Sequence, residues 1–435
     1  PNAPVGLAHG VADPARDPGS SLAAADQQYR ATWFDDMYAP RVPAATFAAL
    51  VDQVTDGELL AEILRTPSGT SLGMDGLNVA LMKACTRPAP VPLQPGLPPP
   101  SPVQPAPPSA CLSACRIVVN DCLRLGFIPA PLKRGIVTLV PKVKSDGSFS
   151  TDAGKMRPIT VLPVLGKLIT RVLATRLNAV LVQNPGLLSD AQRGFLRDGC
   201  IDQCVGLTLD VIEDWHEKSA GKTAKQRTPL FVVSYDQAKA YDSVQAYTVR
   251  ASLERFNMPE PFVRLVLSGF EDAVSSARTF DGPTRPFHLR SSVRQGCPLA
   301  PLIYALVTDA FHAGLANNPL YPSTAAAAGY TFGRPDASGK VVRVCSAGYA
   351  DDTVIFAEDP QRLAEMHAWV RAFFGAHNFT LNCDKTEMLC SSVRLAPTLT
   401  SVDGTKSVSP RDRKHTIRYL GAWLNLNLSW KVQLK

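Results

Sequence analysis

The sequence predicts an α+β or mixed α/β fold on three observations, the first two of pattern. Short β-rich runs alternate with stretches of helical period. No internal repeat shows. Hydrophobic residues make up 45% of the 435 positions, which excludes wholesale disorder and suffices for two or three domain cores.

Taken in chain order, residues 1–45 are Ala/Pro/Asp-rich and read as a loose extension. From Ala45 to Leu64 the apolar residues Phe47, Leu50, Val51, Val54, Leu59, Leu60 and Ile63 follow helical spacing. Gly73-Met74-Asp75-Gly76 reads as a turn, followed by a short helix from Leu77 to Ala84. Residues 88–108 hold 11 prolines in 21 positions, a polyproline-like insertion inside the fold or a ligand for a proline-reading domain. Cys111 to Leu125 resumes a helix, Gly135 to Pro141 reads as a strand, Lys142 to Lys155 as a polar loop, and Pro163 to Val182 as a long amphipathic helix. Residues 216–229 read as a charged, flexible connection. Leu230 to Asp236 is a short β-rich run ending in a carboxylate. Pro298 and Pro301 start a helix whose Leu302, Ile303, Leu306, Val307, Ala310 and Phe311 face the core. Val342 to Cys345 and Thr353 to Phe356 read as strands of a hairpin with Asp351-Asp352 at its turn.

The net charge of +7 conceals an asymmetry. Residues 1–60 carry 8 Asp/Glu against 3 Arg, residues 116–176 carry 11 Lys/Arg against 3 Asp, and residues 405–435 carry 7 Lys/Arg against one Asp. Basic blocks of this kind suit a polyanion, or form solvated lysine-rich surface. No run of about 18 clean apolar residues exists to span a bilayer, so no membrane partner is expected. The ten cysteines contain no CxxC pair and no His at zinc-finger spacing. Cys111/Cys115 and Cys200/Cys204 read as small buried residues on helices. Reduced thiols fit an intracellular compartment. The opening Pro-Asn-Ala-Pro, with neither Met nor leader, reads as a piece of a longer reading frame.

Three acids stand out by context. Asp236 closes the apolar strand Phe231-Val232-Val233, where a carboxylate is costly without a cation or metal. Asp351 and Asp352 are adjacent like charges at a turn, for which a hard divalent cation such as Mg²⁺ is the usual remedy. The bland alternative is a solvated turn, and spacing alone does not bring Asp236 and Asp351 together.

Tyr349-Ala350-Asp351-Asp352 resembles the Tyr-Ala-Asp-Asp box of reverse transcriptases. Phe231-Val-Val-Ser-Tyr-Asp236-Gln237-Ala-Lys-Ala-Tyr241-Asp242 resembles that family's first catalytic block, and Arg294-Gln295-Gly296-Cys297-Pro298-Leu299 its substrate-positioning block. Leu381-Asn382-Cys383-Asp384-Lys385-Thr386-Glu387 and Tyr419-Leu420-Gly421 resemble the two blocks that follow. Upstream, Leu139-Val140-Pro141-Lys142, Arg157-Pro158-Ile159 and Gln192-Arg193-Gly194-Phe195 match finger blocks. Gly73 to Gly76 matches an N-terminal block of non-LTR (LINE-type) retrotransposons and group II intron enzymes. The blocks fall in the family's order over roughly residues 70–430.

The resemblance implies a right-hand polymerase fold: an N-terminal extension over 1–60, fingers over 61–227 with a Pro-rich insertion at 87–110, and a palm with an antiparallel sheet over 228–426. Residues 427–435 would start the connection to a thumb that is largely missing. It implies an RNA-directed DNA polymerase that takes an RNA template, a DNA primer and dNTPs, works with two Mg²⁺ ions (Mn²⁺ as a substitute), and resides in the nucleus. Asp236 and Asp351 would bridge the metals, Asp352 would support them, and the Gln237 carbonyl would be a lesser ligand. Tyr241 would be the steric gate against a ribose 2′-hydroxyl, with a core aromatic as the alternative. Lys142 and Arg157 would reach the triphosphate, and Gln295-Gly296 would admit the templating base or sugar to the backbone. Lys385 would donate a proton to pyrophosphate, or else form a salt bridge near Glu387. Tyr419-Leu420-Gly421 would grip the primer end, and Asp75 and Asp242 would be structural. Two other readings stay open: a catalytically inactive RNA-binding scaffold, and an RNA-dependent RNA polymerase, the latter disfavoured by Tyr241.

Overall fold

The computed structural model describes residues 42–86, 108–142, 147–150, 152, 156–196, 199–289, 291–317 and 328–429. Of the loose extension expected over residues 1–45, residues 1–41 lie outside these, while Ala44 and Ala45 begin a 3-10 helix; nearly all of the proline insertion and residues 430–435 also lie outside. The strands used below are β1 (Gly135–Val140), β2 (Arg157–Val161), β3 (Phe231–Tyr235), β4 (Gln237–Ala238), β5 (Val274–Thr279), β6 (Gly282–Pro283), β7 (Phe287–His288), β8 (Tyr330–Phe332), β9 (Val342–Val344), β10 (Ser346–Tyr349), β11 (Asp352–Ala357), β12 (Thr380–Leu381) and β13 (Glu387–Cys390). The chain divides into two compact units. One comprises Pro43–Val180 and Asn257–Ala300; the other is built from Leu181–Phe256 and Pro301–Lys435.

The first unit packs helices on a sheet of order β2-β1-β5-β6, with β7 also pairing β5. The expected helix from Ala45 to Leu64 is two pieces, a 3-10 helix Ala44–Val51 and an α-helix Asp56–Arg65. The break has a local cause: Thr55 accepts a hydrogen bond from Glu58 N (3.2 Å) and so starts a new helix. Arg176, on the helix Val164–Gln183, locks this corner by reaching Glu58 (2.7 Å) and the Asp52 carbonyl (2.6 Å). Asp75 caps that same helix, its Oδ2 accepting from Val164 N at 2.7 Å, which is the structural role expected of it. The helix Ala110–Leu125 is capped by Ser109 and closed by Gly126 in the left-handed region.

The second unit is centred on a sheet of order β10-β11-β3-β13 with Pro410–Arg411 beyond. β3 is fully apolar at Phe231, Val232 and Val233, all buried, because both of its edges are paired and both faces are covered. The helix Ala300–Asn317 is buried from Leu302 through Val307, an all-round apolar helix in the core. Two expectations are corrected here. Residues 216–219 are not part of a loose connection but the last turn of the helix Ile201–Ser219. Trp215 Nε1 donates to Thr228 O (2.8 Å) and His216 Nε2 bonds Leu426 O (2.7 Å), so the charged stretch is anchored on its apolar side. The strand entering the Asp-Asp turn is β10, Ser346–Tyr349, whereas Val342–Val344 pairs with β8. Cys345 separates the two strands, so the strand expected over Val342–Cys345 ends at Val344 and a second strand, in another sheet, leads into the turn.

Candidate active site

Sheet register brings the acids together. β3 runs antiparallel to β11 with Tyr235 opposite Thr353, so Asp236 leaves β3 level with Asp352. β10 and β11 form a hairpin with Tyr349 opposite Asp352 and a two-residue turn, Ala350-Asp351. The 115-residue separation from Asp236 to Asp351 is therefore closed by three adjacent strands.

That turn is strained. Ala350 has φ +59°, a conformation that favours Gly, and its retention implies support from outside the hairpin. The support comes from Gln192, a residue whose role the sequence did not disclose. Gln192 Oε1 accepts from Gly194 N (2.8 Å) and Ala350 N (3.3 Å), while its Nε2 donates to Thr308 Oγ1 (2.8 Å). Residues 191–193 dock along β10, with Gly348 N donating to Ala191 O (2.7 Å) and Arg193 N to Gly348 O (2.8 Å). A Cβ on Gly194 would meet Ala350 N at 2.2 Å, so only glycine permits this contact.

Asp236 is held by neighbours. Asn382 Nδ2 donates to its Oδ2 at 2.9 Å, Thr386 Oγ1 accepts from its backbone N at 3.2 Å, and Lys385 Nζ lies 3.8 Å from its Oδ1. Lys385 thus pairs with Asp236 rather than Glu387, which faces His415 at 3.2 Å. Asn382 and Thr386 are further additions to the site; their signal was position, flanking Lys385 in one block. The Asp352 carboxyl is pushed up to about 6, first by loss of hydration and then by Asp351 and Asp236, with Lys385 opposing. Three carboxylates therefore feel one another. Among the described residues no three His, Cys, Asp or Glu side chains close into a metal cluster. The carboxylates of Asp236, Asp351 and Asp352 are hard oxygen donors at adjacent strand ends, the chemistry a hard divalent cation takes when it uses one or two carboxylates and leaves positions for water and phosphate.

Tyr241 lies against this group. Its ring stacks on Tyr304 at 4.7 Å and 11°, and Phe195 meets it edge-on at 6.1 Å and 88°. Tyr304 OH donates to Gln237 Oε1 (2.8 Å). Burial, then Asp351, raise the Tyr241 hydroxyl well above its usual range, and that oxygen has no hydrogen-bond partner among the described residues. The Gln237 backbone lies in β4, which pairs with β12 at Leu381.

Asp236, Gln237, Tyr241, Asp351, Asp352 and Lys385 are thus gathered in the second unit, whereas Lys142, Arg157, Gln295 and Gly296 belong to the first. Lys142 and Arg157 are exposed, Arg157 opposite Val140 at the start of β2. Gln295 O accepts from Thr160 N (2.7 Å), and Gly296, at φ +121°, would bring a Cβ within 2.2 Å of Thr160 O. The close backbone approach that Gly296 permits is therefore to β2. Its neighbour Arg294 is buried and donates to the carbonyls of Lys133 and Gly269, a framework role that its block did not reveal. Tyr419 is likewise buried, its hydroxyl on Ala347 O (3.1 Å), in the hairpin Ile417–Tyr419/Ala422–Leu424 that turns through Leu420 and Gly421 at positive φ.

The profile described as reverse transcriptase (RNA-dependent DNA polymerase) matches residues 140–424. The Pol polyprotein of type-1 retrotransposable element R2 from Popillia japonica is 28% identical over 311 residues, covering 69% of this chain and 39% of that protein. That of type-2 retrotransposable element R2DM from Drosophila melanogaster is 27% identical over 271 residues, covering 62% of this chain and 22% of that one. The chain thus spans about two fifths of the first relative and about a fifth of the second. Among solved structures, a Candida tropicalis telomerase overlaps 63% of this chain and 43% of its own at 12% identity, with a TM-score of 0.40, too low to fix the fold. The chain belongs to the reverse transcriptase (RNA-dependent DNA polymerase) family, in the branch carried by non-LTR retrotransposons.

Proposed function

We propose that this domain copies RNA into DNA, extending a DNA primer with dNTPs on an RNA template. The observation that carries the reading is the convergence of Asp236, Asp351 and Asp352 at adjacent strand ends of the β10-β11-β3 sheet, which the strand register fixes. In the right-hand polymerase reading, residues 61–227 would be the fingers and residues 228–426 the palm.

Asp236 and Asp351 would hold two Mg²⁺ ions (or Mn²⁺ in their place), with Asp352 and the Gln237 carbonyl as lesser donors. Such ions supply charge stabilisation to the attacking primer hydroxyl and the departing pyrophosphate. The chain's own residues do the rest. Asn382 and Lys385 flank the Asp236 carboxylate, and Lys385 would donate a proton to the leaving pyrophosphate. Gln192 holds Asp351 at the tip of its turn. Tyr241, clamped between Tyr304 and Phe195, presents a ring too rigid to move aside for a 2′-hydroxyl. Lys142 and Arg157 would bind the triphosphate, Arg157 as a fork and Lys142 as a point charge. Gln295 and Gly296 would shape the pocket for the templating nucleotide from the loop they anchor on β2.

The test is extension of a DNA primer annealed to an RNA template, with Mg²⁺ and either dNTPs or ribonucleotides. Extension with dNTPs and poor use of ribonucleotides is expected. RNA binding without extension would instead make the domain a scaffold.

A further inference from the structure

The first unit carries an aromatic side chain that its fold does not use. β5 and β6 form a hairpin with Arg278 opposite Pro283 and Thr279 opposite Gly282, leaving Phe280-Asp281 as a two-residue turn. The turn is fixed from both strands. Gly282 takes φ +113°, Thr279 Oγ1 donates to Gly282 O (2.5 Å), Thr284 N to Ala277 O (2.8 Å) and Ala277 N to Thr284 Oγ1 (2.9 Å). Such turns favour Gly, Asn, Asp and Ser, each for a backbone reason that Phe lacks. The Phe280 ring is fully exposed, more so than any other large hydrophobic side chain among the described residues. It gives nothing to packing and leaves apolar surface in water, on a scaffold too well bonded to fold it away.

Its surroundings indicate what it meets. β5 runs parallel to β1 with Val137 opposite Ala277, so both strands run out at the same end of the sheet. At that end β5 presents Arg278 and the Phe280 turn, β1 delivers the exposed Val140 and then Lys142, and β2 begins with Arg157. Arg285 follows just beyond β6. Lys142, Arg157, Arg278 and Arg285 are all exposed, and none has an acidic partner among the described residues; Asp281 is the one acid in the turn itself. An exposed ring among unpaired cations is the composition of a site for single-stranded nucleic acid, in which the ring takes a base and the cations take phosphates. A protein partner would need an apolar surface of some extent, and here the exposed Phe280, Phe149 and Val140 stand among charges.

We propose that this end of the β2-β1-β5-β6 sheet binds single-stranded RNA, with Phe280 stacked on an unpaired base and Arg278 and Arg285 on the flanking phosphates. Stacking on a π-face is indifferent to sequence, but it needs a base free of the duplex, so the site selects single strands over double. The inference rests on the polymerase reading only for the identity of that strand as the template; binding is measured without it.

The experiment compares the whole chain with Phe280→Ala, Phe280→Trp, Arg278→Ala and Arg285→Ala. Affinity for a short single-stranded oligoribonucleotide and for the matching RNA duplex is read by fluorescence anisotropy over a range of salt. Phe280→Ala, which removes no buried contact, is expected to weaken single-strand binding about 5- to 100-fold and to leave duplex binding unchanged. Phe280→Trp restores the single-strand affinity. Each arginine variant lowers the slope of log affinity against log salt by about 0.7. Unchanged single-strand affinity in Phe280→Ala overturns the proposal. So does an equal loss for single strand and duplex, and so does a change in sedimentation mass with RNA affinity intact, which would make the ring a contact between copies. Asp351→Asn separates the two readings: it is expected to stop primer extension and to keep the Phe280-dependent binding. A parent chain that binds RNA in this way but extends no primer would refute the polymerase reading alone.

Discussion

Tyr241 lies flat on Tyr304, ring centroids 4.7 Å apart and 11° from parallel, and Tyr304 in turn bonds Gln237, the residue after Asp236. The proposed sugar gate and the first acid of the site are therefore parts of one packed assembly. Tyr241→Ala is expected to admit ribonucleotides, raising their kcat/KM relative to dNTPs at least tenfold. Tyr304→Phe keeps the stack and removes one hydrogen bond, costing about 1 kcal/mol of stability with discrimination preserved. Steady-state incorporation of matched dNTP and ribonucleotide pairs checks both. A Tyr241→Ala enzyme as selective as the parent would return Tyr241 to the role of a core aromatic.

Gln192 supports the strained turn at Ala350 through buried hydrogen bonds, so Gln192→Ala leaves two backbone N–H groups short of a partner. The expected cost is about 1–3 kcal/mol, read as a lowered urea midpoint, together with a fall in kcat at unchanged dNTP KM. Loss of stability without loss of kcat would show that the turn holds Asp351 unaided.

Two glycines make backbone contacts that no other residue allows. Gly194→Ala would push against Ala350 N and Gly296→Ala against Thr160 O, each with 2.2 Å where contact needs well over 3 Å. Gly296 also sits at φ +121°. Each variant is expected to lose several kcal/mol, in the range of overpacking plus backbone strain. Chemical denaturation of the purified variants tests this, and parental midpoints would contradict it.

Stability should fall with acid. Burial holds His312 and His367 down at about 4, against about 6.5 in an unfolded chain. The unfolded state then binds more protons between those values, so stability is full above about pH 6.5 and declines toward pH 4. Asp352, raised to about 6, acts in the opposite sense between its unfolded value and pH 6, but it is one group against two. Without divalent ions, the unfolding free energy at pH 5 is expected to be about 2 kcal/mol or more below that at pH 7. His367→Gln, whose parent ring bonds Tyr235 and Thr400, should flatten the profile. Equal stability at the two pH values would contradict the neutral, buried assignment.

Much of this was legible in the sequence. Phe231-Val232-Val233 is apolar because β3 is covered on both faces, and that pattern ended where Asp236 begins. The Asp351-Asp352 pair was visible as acids bounded by apolar runs, although only Asp351 of the two sits in the turn and Asp352 begins β11, and the Leu302 to Phe311 core pattern matches the buried helix. Other features depend on contacts that spacing does not encode. The strand entering the turn was expected over Val342–Cys345, and only the partners of Val342–Val344 and Ser346–Tyr349 show which of the two enters it. His216–Ser219 looks solvated in a charged run, yet Trp215 and His216 fasten it. Gln192 and Arg294 are polar residues of ordinary type whose worth lies in the carbonyls and amides they reach across the fold. Gly296 needed its missing Cβ, but for Thr160.

The most direct test of the account is single-nucleotide incorporation by the parent and by Asp351→Asn, on an RNA template with a DNA primer and Mg²⁺. RNA affinity is measured in the same samples. The account predicts a fall in rate of roughly 10²- to 10⁴-fold for Asp351→Asn, the several kcal/mol that metal-assisted charge stabilisation supplies, with RNA affinity unchanged. Equal rates in the two proteins would contradict it.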